Sequence, residues 1–586
     1  MALPKMTIFP IAAPTAVMTI TKMKASMEKP NEISSEVAIS VYDAPKKGVA
    51  FETSETTKRP ARLKKKWPVG WKVVGTARAI PARRNAPRYP NGFMGSGAKS
   101  LLLAVPPILP FGNESCARLL LSAVRIGYSR KSMKYRQRAP VASTMISGES
   151  KFDAVVVGAG VIGMASAYYI KKGSPEKDVL VLDRHGDVGQ GNTARSNAMF
   201  RNTFTSSDNQ VLAGSSIDFY LHVQRELGID IGIDLIGYLW AMSPRTLASS
   251  QKHIERMRGN GVEVELYDRV ELARAVPGLV TEFNGAEEAE LMKLEDIAAA
   301  ILGRKCGRLA PDNLTRFYRD QFLKLGGKIS FNTEAERLVF EAVGGMGIQG
   351  EPFAWQEPRV VGVRLGDGST VRADKVVVAA GAWNSELLDG SGIDGHVKSK
   401  KRQVFGLPVK GRPALEKLLM TKGFNESGTL PFTILPKSGL YLKPVREEGE
   451  FLVACEDEIN RPFITVPEHD LEKYQAEPDY YEMSIYHVLR EYLPQFEGVR
   501  PTRMWAGLYS YNTIDNMPYV FEQDGVIAVG GDSGSGVMKG DAMGRIVSAV
   551  YRDGEDATTE LHGGTQYQAS RLGFKSRRVE REEWVI

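Results

Sequence analysis

The run Asp153-Ala154-Val155-Val156-Val157-Gly158-Ala159-Gly160-Val161-Ile162-Gly163 constrains this chain more than any other stretch. A short valine-rich segment suits a parallel strand buried on both faces. Met164 to Lys172 then has helical character, until Gly173, Ser174 and Pro175 stop it. A second strand, Val179-Leu180-Val181-Leu182, delivers Asp183 and Arg184 twenty residues beyond the third glycine. In such a unit Gly158 permits the tight turn, Gly160 lets backbone approach a pyrophosphate, and Gly163 lets helix and strand pack closely. The N–H groups at Val161 and Ile162 and the positive helix end favour phosphate. Asp183 can accept hydrogen bonds from ribose hydroxyls. Strand, turn, helix and acid together predict a dinucleotide site, without choosing FAD or NAD.

The 586 residues leave room for about three or four domains. Charge divides them sharply. Residues 1–150 hold 25 Lys+Arg against 8 Asp+Glu, and the chain totals of 76 and 69 leave 51 against 61 for the remainder. The first part also has 14 of the 31 prolines and no sustained period of 2 or 3.6. A disordered or poorly packed basic extension is expected over 1–144. It reads as a transit peptide or an upstream reading-frame extension, Met145-Ile146-Ser147 resembling a natural start. A nucleic-acid arm around Lys64, Lys65, Lys66, Trp67 and Trp71 is the weaker alternative, so no nucleic-acid partner is expected. The expected location is the cytoplasm, or an organelle if the segment is a transit peptide. No apolar run is long enough for a membrane span: Ser100–Phe111 is broken by Pro106, Pro107 and Pro110. Cys116, Cys306 and Cys455 lie too far apart for a disulfide framework or a metal knuckle, and no metal is expected.

Three later segments carry a family resemblance. Gly189-Gln190-Gly191-Asn192-Thr193-Ala194-Arg195-Ser196-Asn197-Ala198-Met199-Phe200-Arg201 resembles the second FAD-contacting loop of the D-amino-acid oxidase/glycine oxidase/sarcosine oxidase superfamily, although a surface loop would read similarly over Gly189–Ser196. Arg372 to Trp383 resembles that family's strand and its Ala380-Gly381-Ala382-Trp383 turn over the cofactor. Val526 to Gly536, with Gly531, Gly534 and Ser535, resembles the last flavin loop, ahead of a helix from about Val537 and Met538 to Tyr551. The resemblance covers about 145–560. It implies an α/β fold: an FAD-binding Rossmann-like domain with a second, α+β substrate domain whose antiparallel sheet roofs the flavin. The expected FAD domain is discontinuous, over 145–238, 301–398 and 503–560. The substrate domain takes 239–300 and 399–502, and 561–586 forms a tail.

The resemblance implies oxidation of a C–N bond by hydride transfer to flavin N5, the protein mainly positioning the substrate. An amino-acid substrate needs a cation for its carboxylate and an apolar or aromatic wall. The candidates are Arg201, Tyr441, Lys443, Tyr509, Tyr511 and Lys539. Tyr441 and Lys443 share one face of a strand at period 2, with Lys443 or Arg201 expected on the carboxylate. Solvent exposure or core packing explains the tyrosines and Lys443 equally well. Lys539 resembles the catalytic lysine of sarcosine oxidases, displaced by about one residue. Lys398, Lys400, Lys401 and Arg402 read as a solvated strand edge.

Two departures bear on the cofactor and substrate. Leu508, after Gly507, stands where covalently flavinylated sarcosine oxidases carry cysteine, and no histidine occurs between Gly186 and Leu221. Non-covalent FAD is expected. The family's Gly-His-Gly reads Gly534-Ser535-Gly536 here, without the imidazole. The expected function is FAD-dependent oxidation of an amino acid or a secondary or N-methylated amine, with oxygen or a carrier as the open electron acceptor. The alternatives are a flavoprotein acting mainly in protein-complex assembly and a glycerol-3-phosphate-type dehydrogenase.

Overall fold

The computed structural model describes residues 143–144, 150–456, 462–464 and 467–585. Met1–Lys131 is a unit of its own, in which only the backbones of strands Ile8–Pro10, Val17–Lys29, Glu32–Tyr42, Val49–Thr53 and Leu101–Val105 are described. The expected disorder over 1–144, the basic arm near Trp67 and the start at Met145 otherwise lie outside the described residues. Ser143 and Thr144 do not belong to an extension. Thr144 N–H donates to the Ile329 carbonyl at 2.8 Å and Phe331 N–H to Ser143 Oγ at 2.9 Å, so the folded body begins upstream of Met145.

The chain enters β1 (Lys151–Val157), α1 (Val161–Gly173) and β2 (Val179–Leu182). α1 starts three residues before the expected Met164, because the turn closes within Gly158–Gly160. Gly158 has φ +107°, and a Cβ there would stand 2.5 Å from the Ala379 carbonyl oxygen. After α2 (Asn192–Arg195) and α3 (Ser207–Arg225), a first excursion makes β3 (Tyr238–Met242), β4 (Val264–Asp268) and β5 (Ala299–Gly303). α4 (Pro311–Lys324), β6 (Lys328–Ser330), β7 (Ala335–Ala342), β8 (Pro358–Leu365) and β9 (Thr370–Val378) follow. A second excursion makes β10 (Val397–Pro408), β11 (Phe432–Ile434), β12 (Tyr441–Val445), β13 (Glu450–Ala454) and β14 (Arg503–Asn512). The chain then closes with β15 (Tyr519–Gln523), β16 (Val526–Gly530) and α5 (Gly536–Asp553).

One sheet has the order β6-β2-β1-β9-β8-β7, with β16 beside the end of β9 and paired with β15. β6, β2, β1, β9 and β16 run parallel, and their C-terminal ends open toward one side. Ala154, Val155 and Val156 are fully buried, as a strand covered on both faces requires. α1 and α5 pack so closely on one face that a Cβ on Gly544 would meet the Ala165 backbone at 2.7 Å. Each fully buried valine or leucine here contributes about 1.5–3 kcal/mol relative to exposure.

The second sheet has the order β4-β5-β3-β11-β12-β13-β10-β14, antiparallel except for β3 beside β11. Its strands cross the expected division by one or two residues at Tyr238 and at Val397–Lys398, and further at β14 and β5. β14, expected on the cofactor side, is an edge strand of this sheet, paired with β10 from Val397–Asn512 to Gly406–Arg503. β5 likewise continues past residue 300. The cause is hydrogen bonding: β14 is long enough to pair along β10 and still bridge Tyr511 to Asp532 at the cofactor sheet.

Candidate functional site

The C-terminal ends of the parallel strands and the inner face of the second sheet line one continuous cleft. All the residues expected at the cofactor line it except Gly163 and Gly531. Those two act by packing: a Cβ on Gly163 would lie 1.9 Å from the Gly158 carbonyl oxygen, and one on Gly531 2.8 Å from the Tyr519 ring. Both α1 and α5 present their N-termini here without a capping side chain at the N-cap residues Gly160 and Ser535. Two helix N-termini thus line the same space, the α5 end with the Asp532 carboxylate on its Gly536 N–H at 2.7 Å.

At the far end, Asp183 Oδ2 accepts from Ala159 N–H at 2.6 Å and Oδ1 from His185 N–H at 2.8 Å. Burial pushes the Asp183 carboxyl above its ordinary pKa, against the pull of those amides. The Arg184 guanidinium lies 4.2 Å from the Trp383 ring centroid, and the Trp383 indole donates to the Glu468 carbonyl at 3.1 Å. His469 contacts Glu334 and Glu386 at 2.7 Å each, and all three line the cleft, although nothing in the motifs pointed to them.

In the middle, α2 and β14 are locked together. Asn192 Oδ1 accepts from Leu508 N–H at 2.8 Å, Trp505 donates to the Arg195 carbonyl at 3.0 Å, and Arg195 to the Ala506 carbonyl at 2.9 Å. Gly507 sits where a Cβ would be 3.2 Å from Arg195 Cβ. Thr193 Oγ1 accepts from Val161 N–H at 3.3 Å, and Ser196 Oγ from Ala198 N–H at 2.9 Å. Asn197 donates to the Tyr441 hydroxyl while its own Oδ1 is buried without a partner. A buried acceptor in a cleft also lined by the glycine turn and two helix N-termini fits a polar cofactor body lying along the cleft.

The substrate candidates separate into three groups. Arg201, Tyr441, Tyr509 and Lys539 line the cleft. Arg201 Cζ is 3.9 Å and Lys539 Nζ 4.7 Å from the Phe204 ring centroid, so both cations contact the same aromatic ring. Arg201 also donates to the Thr203 and Trp584 carbonyls. Burial lowers its pKa, and burial together with the Arg201 charge brings Lys539 down to about 7, opposed by Glu582 and Asp532. The Tyr509 ring covers Gly534, which has φ +83° and could carry a Cβ only 2.2 Å from the ring. Tyr511 is buried outside the cleft lining and accepts a hydrogen bond from Arg402.

Lys443 is corrected. It does not line the cleft, and its ammonium donates to the Asn197 carbonyl. Burial, then repulsion from Arg308, lowers its pKa to about 8. It braces the 196–198 turn instead of facing a substrate. The solvated-edge expectation for Arg402 is also corrected. On β10, Lys400 is buried at 2% exposure, and Arg402 lines the cleft beside the Tyr509 and Tyr511 rings, at 5.4 and 5.5 Å. The period-2 spacing of Lys400 and Arg402 is the signal that a four-charge run concealed. Tyr238, Phe432 and Val404 complete the wall. Glu582, Trp584 and Val585 also line the cleft, from a segment expected only as a tail.

Residues 153–550 match the family described as FAD dependent oxidoreductase. The chain is 25% identical over 440 residues to FAD-dependent oxidoreductase domain-containing protein 1 of Xenopus laevis, covering 70% of this chain and 81% of the relative. It is 27% identical over 376 residues to a glycine oxidase of Pseudomonas aeruginosa, covering 62% and 84%. The crystal structure of L-proline dehydrogenase from P. horikoshii shares the fold with a TM-score of 0.54 at 20% identity, covering 69% of this chain and 94% of that one. Among the described residues no helix is long and apolar enough to cross a membrane.

Proposed function

From the premise that the chain belongs to the FAD-dependent oxidoreductase family, we propose that it oxidises the C–N bond of an amino acid or of a secondary or N-methylated amine that carries a carboxylate. The observation that carries this reading is the pair Arg201 and Lys539, two buried cations against the Phe204 ring in the cleft that holds the glycine turn. Bound FAD supplies the acceptor for the two electrons and hydrogen removed from the amine. The protein's part is binding, orientation and exclusion of water. A guanidinium offers several N–H donors in a plane matched to a carboxylate, and two of its bonds here go to carbonyls that hold that plane still. Tyr238, Phe432, Tyr441 and Tyr509 supply the apolar wall against which the amine carbon can be pressed. An imine produced this way would be hydrolysed by water to a carbonyl compound and the released amine or ammonia.

The test is anaerobic flavin bleaching with a panel of amino acids, N-methyl amino acids, their decarboxylated counterparts and glycerol 3-phosphate. Bleaching by carboxylated amines, and much weaker bleaching by the decarboxylated ones, is the expected result. Equal bleaching by both sets would remove the carboxylate from the reading. Bleaching by glycerol 3-phosphate alone, or by nothing, would overturn it.

A further inference from the structure

We propose that the C-terminal segment 580–585 is a working part of the substrate site, in which Glu582 fixes Trp584 so that Trp584 orients Arg201 and closes that end of the cleft. The proposal rests on the carboxylated-amine reading above. The segment lies beyond residue 550, where the family match ends.

The carboxylate of Glu582 is 2% exposed and accepts five hydrogen bonds: from Thr205 N–H and Ser206 N–H at 3.0 Å, Thr205 Oγ1 at 2.8 Å, Asn209 Nδ2 at 3.0 Å and Trp584 N–H at 3.1 Å. Four of these donors lie at the start of α3, whose positive end favours the anion. Burial alone would raise the Glu582 pKa, yet the Arg201 charge and these donors hold it below the ordinary value. None of its hydrogen-bond donors among the described residues is Arg201. Glu582 therefore stabilises the guanidinium through space without occupying its N–H groups; two of these go to the Thr203 and Trp584 carbonyls, and the rest are left for a second anion.

The fifth donor is the link to the site. By accepting from Trp584 N–H, Glu582 turns the Trp584 carbonyl onto Arg201 and lays the indole against Trp240, with ring centroids 4.8 Å apart. The segment is held on both sides of Glu582. Arg577 makes paired bonds to Asp515 at 2.7 and 2.8 Å, Arg256 meets Glu580 at 2.5 Å, and Glu583 N–H donates to Thr205 Oγ1 at 3.0 Å. Glu582, Trp584 and Val585 then form cleft wall at the end occupied by Arg201. Gln at position 582 would turn an amide NH₂ toward a ring of donors, and Trp584 would lose its anchor.

The experiment uses full-length holoenzyme and three variants, Glu582→Gln, Glu582→Asp and Trp584→Ala. FAD content is read first, then the Kd of benzoate from its perturbation of the flavin spectrum, then KM and kcat for the best amine of the panel. The Gln variant and Trp584→Ala should keep their FAD while benzoate Kd and KM rise about tenfold or more, a loss of about 1.4 kcal/mol of carboxylate binding, and kcat changes much less. The Asp variant should recover part of the loss. If the Gln variant fails to fold, Glu582→Asp tests the anchoring of the Trp584 main chain, and Trp584→Ala, which keeps the main-chain N–H and carbonyl and the Glu582 network with α3, tests the closing indole. Unchanged benzoate Kd and KM in FAD-loaded Trp584→Ala would overturn the proposal alone. Wild-type protein that binds neither benzoate nor any carboxylated amine would overturn the underlying reading, and the proposal with it.

Discussion

Asp183 Oδ2 accepts the Ala159 N–H at 2.6 Å, so the acid at the end of β2 and the glycine turn after β1 form one hydrogen-bonded unit. Asp183 therefore does two things. It shapes the glycine turn, and we propose that its remaining lone pairs accept from the ribose hydroxyls of bound FAD. The His185 N–H takes the other oxygen at 2.8 Å.

Asp183→Ala should remove both. Each lost hydrogen bond to an ionised acceptor is worth about 1.5–3 kcal/mol, so FAD affinity should fall by at least about tenfold, read by flavin fluorescence titration. Thermal stability of the FAD-free protein should fall too, because the Ala159 and His185 amides lose their partner. A lower Tm with wild-type FAD affinity would show that another group holds the ribose.

The cofactor half of this site was legible in sequence because its chemistry is backbone chemistry. Gly158, Gly160 and Gly163 announce a turn through the absence of side chains, and the spacing to Asp183 follows from one helix and one short strand. The substrate half depends on which face of a strand points inward, and a single strand does not reveal that. Lys443 and Tyr441 share a face, yet only Tyr441 reaches the cleft, because Lys443 lies further along β12 and meets the Asn197 carbonyl. Arg402 was hidden among Lys398, Lys400 and Lys401, and only the pairing of β10 with β14 shows that it is covered. Glu582 and Trp584 carry no motif. Their place is set by tertiary contacts with Thr205, Ser206 and Trp240, hundreds of residues away in sequence.

FAD should be released by acid precipitation and appear in the supernatant. Leu508 lines the cleft where a covalent thioether would need cysteine, and a hydrocarbon side chain cannot form one. The two described cysteines, Cys306 and Cys455, are both buried, and neither lines the cleft. A yellow protein pellet after denaturation would refute this.

Lys539 gives a pH dependence with a definite sign. Its pKa is lowered from 10.5 to about 7, first by burial and then by Arg201 and Arg577, against Glu582 and Asp532. The ammonium is present below that value and lost as pH rises through it. Benzoate keeps its own charge over this range, so its Kd should rise with pH above about 7, approaching tenfold per unit if charge on Lys539 is required. Lys539→Met should bind benzoate weakly at all pH values and flatten the curve. Stability moves the other way. Between about 7 and 10.5 the unfolded chain holds a proton that the folded one lacks, so this lysine's contribution to stability becomes more favourable as pH rises. A wild-type benzoate curve that is flat from pH 6 to 9 would remove Lys539 from the carboxylate site.

Lys443→Met separates bracing from substrate binding. The Lys443 ammonium donates to the Asn197 carbonyl, and Asn197 in turn donates to the Tyr441 hydroxyl. Methionine fills much of the same volume but leaves that carbonyl without its charged donor, a loss of about 1–3 kcal/mol. The strain falls on the 196–198 turn, where Ala198 already holds φ +54°. FAD affinity should therefore drop roughly 5- to 150-fold, in keeping with that energy. Protein resaturated with FAD should show a KM for the carboxylated amine close to wild type, because Arg201 and Lys539 still face the cleft. The opposite pattern, full FAD content with a strongly raised KM, would put Lys443 in direct contact with the substrate and require the β12 side chain to turn inward when substrate binds.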